Sequence, residues 1–311
     1  MLLGFARGSV GDLTFYRRNA QQITRARSRV VKNPKTLAQQ MQRAIMRTAV
    51  SAYGVLKEIC DHSFEGVAYG ADSYAKFLKL NLDMLRSRAT AGGDNSKSFL
   101  PSGFNGLVAM PWVLSKGSIS WNGISEEVDG LRMILNSTVP SASTIDTITY
   151  QQFASLLGVQ VGDQLTFIFA PQRSDIDESS CTEIIVSRLI LSPYTGDPAE
   201  TQIFDQNGHV INGNPLNENV STMRFGVNSG AKFDVVQDAP DADVPTIGVA
   251  CIVSRRNSSG AWLRSNASLV FDERQNEGGY TLRQASMVVN TEIVAPSDWY
   301  LNNANIATTS E

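Results

Sequence analysis

Asn33-Pro34-Lys35-Thr36 decides the architecture, because the spacing of apolar residues changes there from two to 3.6. Asparagine before proline suits an N-cap followed by the first helical position, and Thr36 with Gln39 fits a capping box. A helix is predicted from this point. Leu37, Met41, Ala44, Ile45, Thr48, Ala52, Val55, Leu56 and Ile59 then fall on one stripe, carrying the helix to Cys60. Gly54 interrupts it at a cost of roughly 0.5–1 kcal/mol against alanine, and marks a close packing contact or a kink.

Upstream the period is two. Leu13, Phe15 and Ile23 alternate with polar neighbours, and Asp12 to Arg17 and Gln22 to Arg27 flank the turn-prone Arg18-Asn19-Ala20. This predicts a short basic β-hairpin. The glycines Gly4, Gly8 and Gly11 ahead of it read as a flexible arm. Downstream, Asp72 or Ser73 caps a second helix whose face is Tyr74, Phe77, Leu78, Leu82 and Leu85, giving an antiparallel helix pair. Ala89 to Lys97, containing Gly92-Gly93-Asp94-Asn95-Ser96, has no periodicity and reads as a linker.

Beyond Leu100 the chain turns to short β-branched and aromatic runs. Strands are predicted at Leu107 to Leu114, Leu131 to Val139, Leu165 to Phe169, Glu183 to Leu191, Met223 to Val227, Ala231 to Val236, Gly248 to Arg255 and Ala261 to Phe271. Asn207-Gly208, Asn228-Ser229-Gly230 and Asn257-Ser258-Ser259-Gly260 supply hairpin turns. One helix, Tyr150 to Leu157 ending at Gly158, interrupts the strands. The fold class is therefore α+β: a basic hairpin and antiparallel helix pair, then a mainly antiparallel β-sandwich. The expected domains are residues 1–96, a sandwich body over 97–295, and a loose tail over 296–311.

With 311 residues, 42% hydrophobic and 18% charged, the composition is that of a folded chain with room for two domains. No apolar run approaches the roughly 20 residues that a membrane helix needs, and no signal-peptide core follows Met1-Leu2-Leu3, so neither secretion by a cleaved signal nor membrane contact is expected. Charge is divided along the chain. Residues 1–50 carry ten basic side chains against Asp12 alone, a balance of +9, whereas the whole chain is −3. Residues 51–100 are neutral, so residues 101–311 hold −12. A basic segment on an acidic body suits docking to a polyanion or to an acidic protein surface.

Catalytic and metal chemistry find little support. Cys60, Cys181 and Cys251 are widely spaced and accompanied only by His62 and His209, which argues against disulfides or zinc and for buried thiols. Asp61-His62-Ser63 holds the residue types of a hydrolase triad, but consecutive residues do not converge on one reacting atom. His62 suits a helix C-terminus instead. Cys60 with His62 fares no better as a nucleophile pair, because burial raises a thiol pKa. Asp175-Ile176-Asp177-Glu178 lacks the glycine and distal glutamate of a calcium loop, and the glycines at 4, 8 and 11 match no nucleotide loop. No cofactor is expected and the chain reads as non-enzymatic.

The candidate site is thus basic: Arg17, Arg18, Arg25, Arg27, Arg29, Lys32, Lys35, Arg43 and Arg47. Strand alternation projects Arg25, Arg27 and Arg29 from one face, and Arg43 and Arg47 repeat at i, i+4 away from the apolar helix stripe. Phe15 and Tyr16 sit among them, as stacking surfaces or as core.

Gly4, Gly8, Gly11, Arg25 and then Asn33-Pro34-x-Thr36-x-Ala38-Gln39-x-x-Gln42-Arg43 together resemble an uncharacterised family encoded by gut Bacteroidales and by their phages. The likeness covers about the first 65 residues, with weaker echoes at Phe153 to Val159 and Trp262-Leu263-Arg264-Ser265. It implies a β element and helices followed by an immunoglobulin-like region, no catalytic residues to carry over, and a component of a phage virion made in the host cytoplasm. This chain is richer in arginine near the hairpin, which favours polyanion contact. The partners to expect are other virion proteins or further copies of the chain in a homo-oligomer, with DNA or RNA as the competing partner of the arm.

Overall fold

The computed structural model describes residues 7–18, 21–26, 37–90, 107, 111–129, 131–140, 144–171, 184–191, 196–228, 230–238 and 246–270. The chain forms two compact units, Met1–Gln39 and Gln40–Glu311. Among the described residues it is a mixture of three α-helices and antiparallel sheets.

The first unit holds β1 (Gly8–Val10), β2 (Leu13–Arg18) and β3 (Gln21–Ala26), in the order β1-β2-β3. The predicted hairpin is present, with Thr14 opposite Arg25 and Tyr16 opposite Ile23. Gly8–Val10, expected as flexible arm, instead pairs with β2. Gly11, at φ 56, allows the two-residue reversal between Val10 and Leu13 that brings β1 alongside.

In the second unit, α1 (Leu37–Cys60) and α2 (Ala71–Thr90) bury most of the described part of the anticipated stripes. Ile45, Thr48, Ala52, Leu56 and Ile59 are buried, and Ala49, Tyr53 and Cys60 widen the face. Asn33 to Thr36, with their expected cap, lie outside the described residues. Asp72 falls in the first turn of α2 rather than ahead of it. Gly54 is neither a close packing contact nor buried: it is exposed, and a Cβ there meets nothing within 4 Å among the described residues. Gly54→Ala is therefore expected to stabilise the protein by about 0.5–1 kcal/mol in urea denaturation, the entropy that alanine removes from the unfolded chain.

The body carries β4 (Val113–Ser115), β5 (Ile124–Asp129), β6 (Arg132–Thr138), α3 (Tyr150–Leu157), β7 (Gln164–Pro171), β8 (Ile185–Ile190), β9 (Asn214–Pro215), β10 (Met223–Val227), β11 (Lys232–Gln237), β12 (Thr246–Arg256), β13 (Trp262–Arg264) and β14 (Ala267–Ser268). One sheet runs β10-β11-β6-β5, another β13-β12-β7-β8-β9, and β14 pairs with β4. α3 runs and ends as predicted, with Gly158 closing it at φ 73, and it begins on a capping box that the sequence reading had not named, in which Thr149 accepts from the Gln152 amide. The predicted strand from Ala261 to Phe271 is broken in two, because Ser265 bonds back to Val253 before β14 leaves to pair with β4. Phe271 lies outside the described residues.

Alternation along β7 and β12 organises the core. Leu165, Phe167, Phe169, Val249, Cys251 and Val253 share a cluster with Met133, Leu135, Phe225, Phe233 and Val235 of the four-stranded sheet. The intervening Ile168, Ala170, Ala250 and Ile252 share another with Ile45, Leu56, Phe77 and Leu85 of the helices. The five-stranded sheet is therefore buried on both faces. Trp112 stacks on Phe77 at 5.8 Å, and the fully buried Asn81 accepts from the Val113 amide at 2.8 Å while donating to its carbonyl at 3.1 Å. These contacts tie α2 to β4. The helix pair, grouped by sequence with the arm in residues 1–96, belongs to the compact unit that contains the body. The physical reason is that its apolar faces are wider than two helices cover between themselves, so they complete their burial on the sheet. The expected linker residues 91–97 and the tail at 296–311 lie outside the described residues.

At the predicted Asn207-Gly208 turn, Gly208 has φ 82 and a Cβ there would overlap the Phe225 carbonyl oxygen. The Phe225 amide donates to the Gly208 carbonyl at 2.9 Å, so the two chains cannot part cheaply. Gly208→Ala is expected to cost about 2–4 kcal/mol, from left-handed strain plus overpacking, read as a lower urea midpoint at unchanged slope.

Candidate basic docking site

The basic residues fall into three groups. Arg17 and Arg18 end β2, opposite Gln22 and Gln21. Arg25 stands exposed on β3, with its guanidinium 5.7 Å from the ring centre of Tyr16 on the neighbouring strand. Tyr16 is itself exposed, whereas Phe15 is half-buried. The ring of Tyr16 holds the Arg25 head outward at little entropic cost, since a guanidinium stacked on a phenol keeps its N–H edges for an anion. Arg27, Arg29, Lys32 and Lys35 lie outside the described residues.

Arg43 and Arg47 make the third group. Both are exposed on α1, one turn apart, beside the exposed Met46 and Val50. With Ser51, Gly54 and Val55 they line a concavity of about 730 Å³. The sequence spacing places the two arginines on the side of α1 away from the buried stripe, as it should. Met46 and Val50 were not read as part of the site, although their i, i+4 spacing interleaved with Arg43 and Arg47 is a signal of an amphipathic outer face.

The rejected chemical sites behave as their surroundings dictate. Asp61 accepts a hydrogen bond from Tyr53, Ser63 donates back to the Ile59 carbonyl, and His62 lies exposed with its ring 5.9 Å from Tyr69. Their side chains thus diverge to three partners, just past the C-terminus of α1. Burial pushes the thiols of Cys60 and Cys251 well above the ordinary range. Both are therefore expected to resist alkylation by iodoacetamide at neutral pH in the folded protein and to react on unfolding, read peptide by peptide in mass spectrometry. Cys181 and the acidic run 175–178 lie outside the described residues. Among the described residues no group of three metal-ligating side chains converges, and no helix is long and apolar enough to cross a membrane.

No protein-family model, curated protein or solved structure matches the chain.

Proposed function

We propose that the chain is a non-enzymatic structural or assembly protein of a phage virion, anchored through its basic N-terminal segment to other subunits or to packaged genome. The observation that carries this reading is a division of labour. A small basic three-stranded unit, with Arg25 exposed on it, precedes a body whose two buried clusters of apolar side chains serve packing. Arg43 and Arg47 follow in sequence and stand exposed on α1 of the second unit. The body is read as a β-sandwich of immunoglobulin-like kind, supported by a four-stranded and a five-stranded antiparallel sheet that contribute to one core. Homo-oligomerisation belongs to the same reading, because an acidic body and a basic extension on one chain favour contacts between copies.

A second reading is a nucleic-acid-binding protein acting through residues 1–50 outside any particle. The packing of Arg25 on Tyr16 favours it, since this places a cation and an aromatic ring side by side. Nuclease treatment followed by sedimentation separates the two. Full-length protein that stays in particles or self-assembled material after nuclease supports the virion reading. Protein that becomes monomeric once nucleic acid is digested supports the second.

A further inference from the structure

The even-numbered side chains of β12 face the helix layer, and at its far end that face leaves the core and reaches solvent. Ala250 and Ile252 are buried there, Ser254 follows, and Arg256 is exposed. Arg256 pairs across the hairpin with Trp262, and Ser254 with Arg264. Alternation therefore puts Arg256, Trp262 and Arg264 on one face. Both guanidiniums lie over the indole, Arg256 at 4.9 Å and Arg264 at 4.8 Å from its centre. Trp262 remains 37% exposed. Nε of Arg264 donates to the His62 carbonyl at 2.8 Å, and the His62 ring leads to Tyr69, which is 76% exposed. Trp262, Arg264, His62 and Tyr69 thus form a continuous surface.

We propose that this surface binds single-stranded nucleic acid. Three features point to that class of ligand. Among the described residues Arg256 meets no carboxylate, so its N–H edges are available for a phosphate. The neighbouring carboxylate, Glu65, is engaged by the Ser118 amide at 2.8 Å and by the Arg264 amide at 3.2 Å. Tyr69 offers an open ring beside the two guanidiniums gathered over Trp262, so a base finds a stacking platform next to the cations that take its phosphate. An acidic peptide would use the arginines but has no use for Tyr69. The acidity of the rest of the body does not cancel the site, because charges beyond roughly 8–10 Å are screened at physiological salt. Trp262 acts as a positioning residue, fixing both guanidiniums before the ligand arrives. The surface is independent of the basic residues before Gly54 and does not rest on how they are read.

The test is anisotropy of fluorescein-labelled oligo(dT) with full-length protein, with polyglutamate as competitor, together with ultraviolet cross-linking of a bromodeoxyuridine oligonucleotide and mapping of the adducts. Tyr69→Ala, Arg256→Ala and Trp262→Ala are each expected to weaken binding about fivefold or more, the range that loss of one stacked base produces. Trp262→Phe should restore most of the loss, since it keeps a face for the guanidiniums. Adducts should fall on peptides containing Tyr69 and Trp262. Wild-type affinity in Tyr69→Ala and Trp262→Ala, adducts confined to other segments, or equal displacement by polyglutamate would each overturn the proposal.

Discussion

Asp163→Ala is expected to lower the unfolding free energy by about 3–5 kcal/mol, the range for removing one member of a buried ion pair. Asp163 is fully buried where the turn after α3 enters β7. Its carboxylate accepts two hydrogen bonds from Arg255, at 2.7 Å and 2.6 Å, and one from the Gln160 amide at 2.8 Å. Those bonds raise the pKa of Arg255 above its ordinary value, so that side chain stays charged whatever happens to its partner. Alanine would leave a guanidinium only one quarter exposed, with no carboxylate to meet it. The pair also closes the structure, because Asp163 accepts the Leu191 amide through its own carbonyl and so joins the turn to the end of β8. Asp163→Leu combined with Arg255→Met should recover most of the loss, since the cost lies in the orphaned charge rather than in the absent bond. Urea denaturation of the two single variants and the double variant decides it. Equal and additive losses would mean that the pair is not coupled.

The second large effect concerns salt. If six or more of Arg17, Arg18, Arg25, Arg27, Arg29, Lys32, Lys35, Arg43 and Arg47 engage phosphates together, affinity for nucleic acid falls by about three orders of magnitude between 50 and 200 mM salt. That corresponds to roughly 4 kcal/mol. Docking on an acidic protein surface instead gives a shallower dependence, because a folded surface has no condensed counterion layer to release and part of its contact is apolar. The exposed Met46 and Val50 beside Arg43 and Arg47 favour that shallower slope for contacts made by α1. The slope of log affinity against log salt, taken with the full-length protein, reads the number of phosphate contacts directly.

Much of the fold was legible because its periodicities are local. The stripe on α1, the glycine that ends α3, the hairpin from β2 to β3 and the turns at Asn207-Gly208 and Asn228 to Gly230 all depend on neighbours within a few residues. What escaped was long-range. β5 went unread because Ser125-Glu126-Glu127 breaks the apolar alternation, as suits a strand at the edge of its sheet. The layering escaped too. Leu165 to Ala170 is almost continuously apolar, which is the mark of a strand covered on both sides, yet only the structure pairs one side with the helices. Of the candidate basic site, Arg43 and Arg47 sit exposed as helix spacing required, whereas Arg25 is exposed on a strand whose neighbouring positions Thr24 and Ala26 are exposed too. The surface around Trp262 was half visible in Trp262-Leu263-Arg264, but Arg256 joins it only through the register of β12 with β13.

In the function proposed above, the positive charge ahead of the body is a docking surface. It is tested most directly by replacing Arg25, Arg27 and Arg29 together with serine in the full-length chain and measuring sedimentation of the purified protein with assembled particles at physiological salt. The variant should fold with an unchanged urea midpoint and stay in the supernatant while the parent pellets. Pelleting at the parent's level by a folded variant would contradict it.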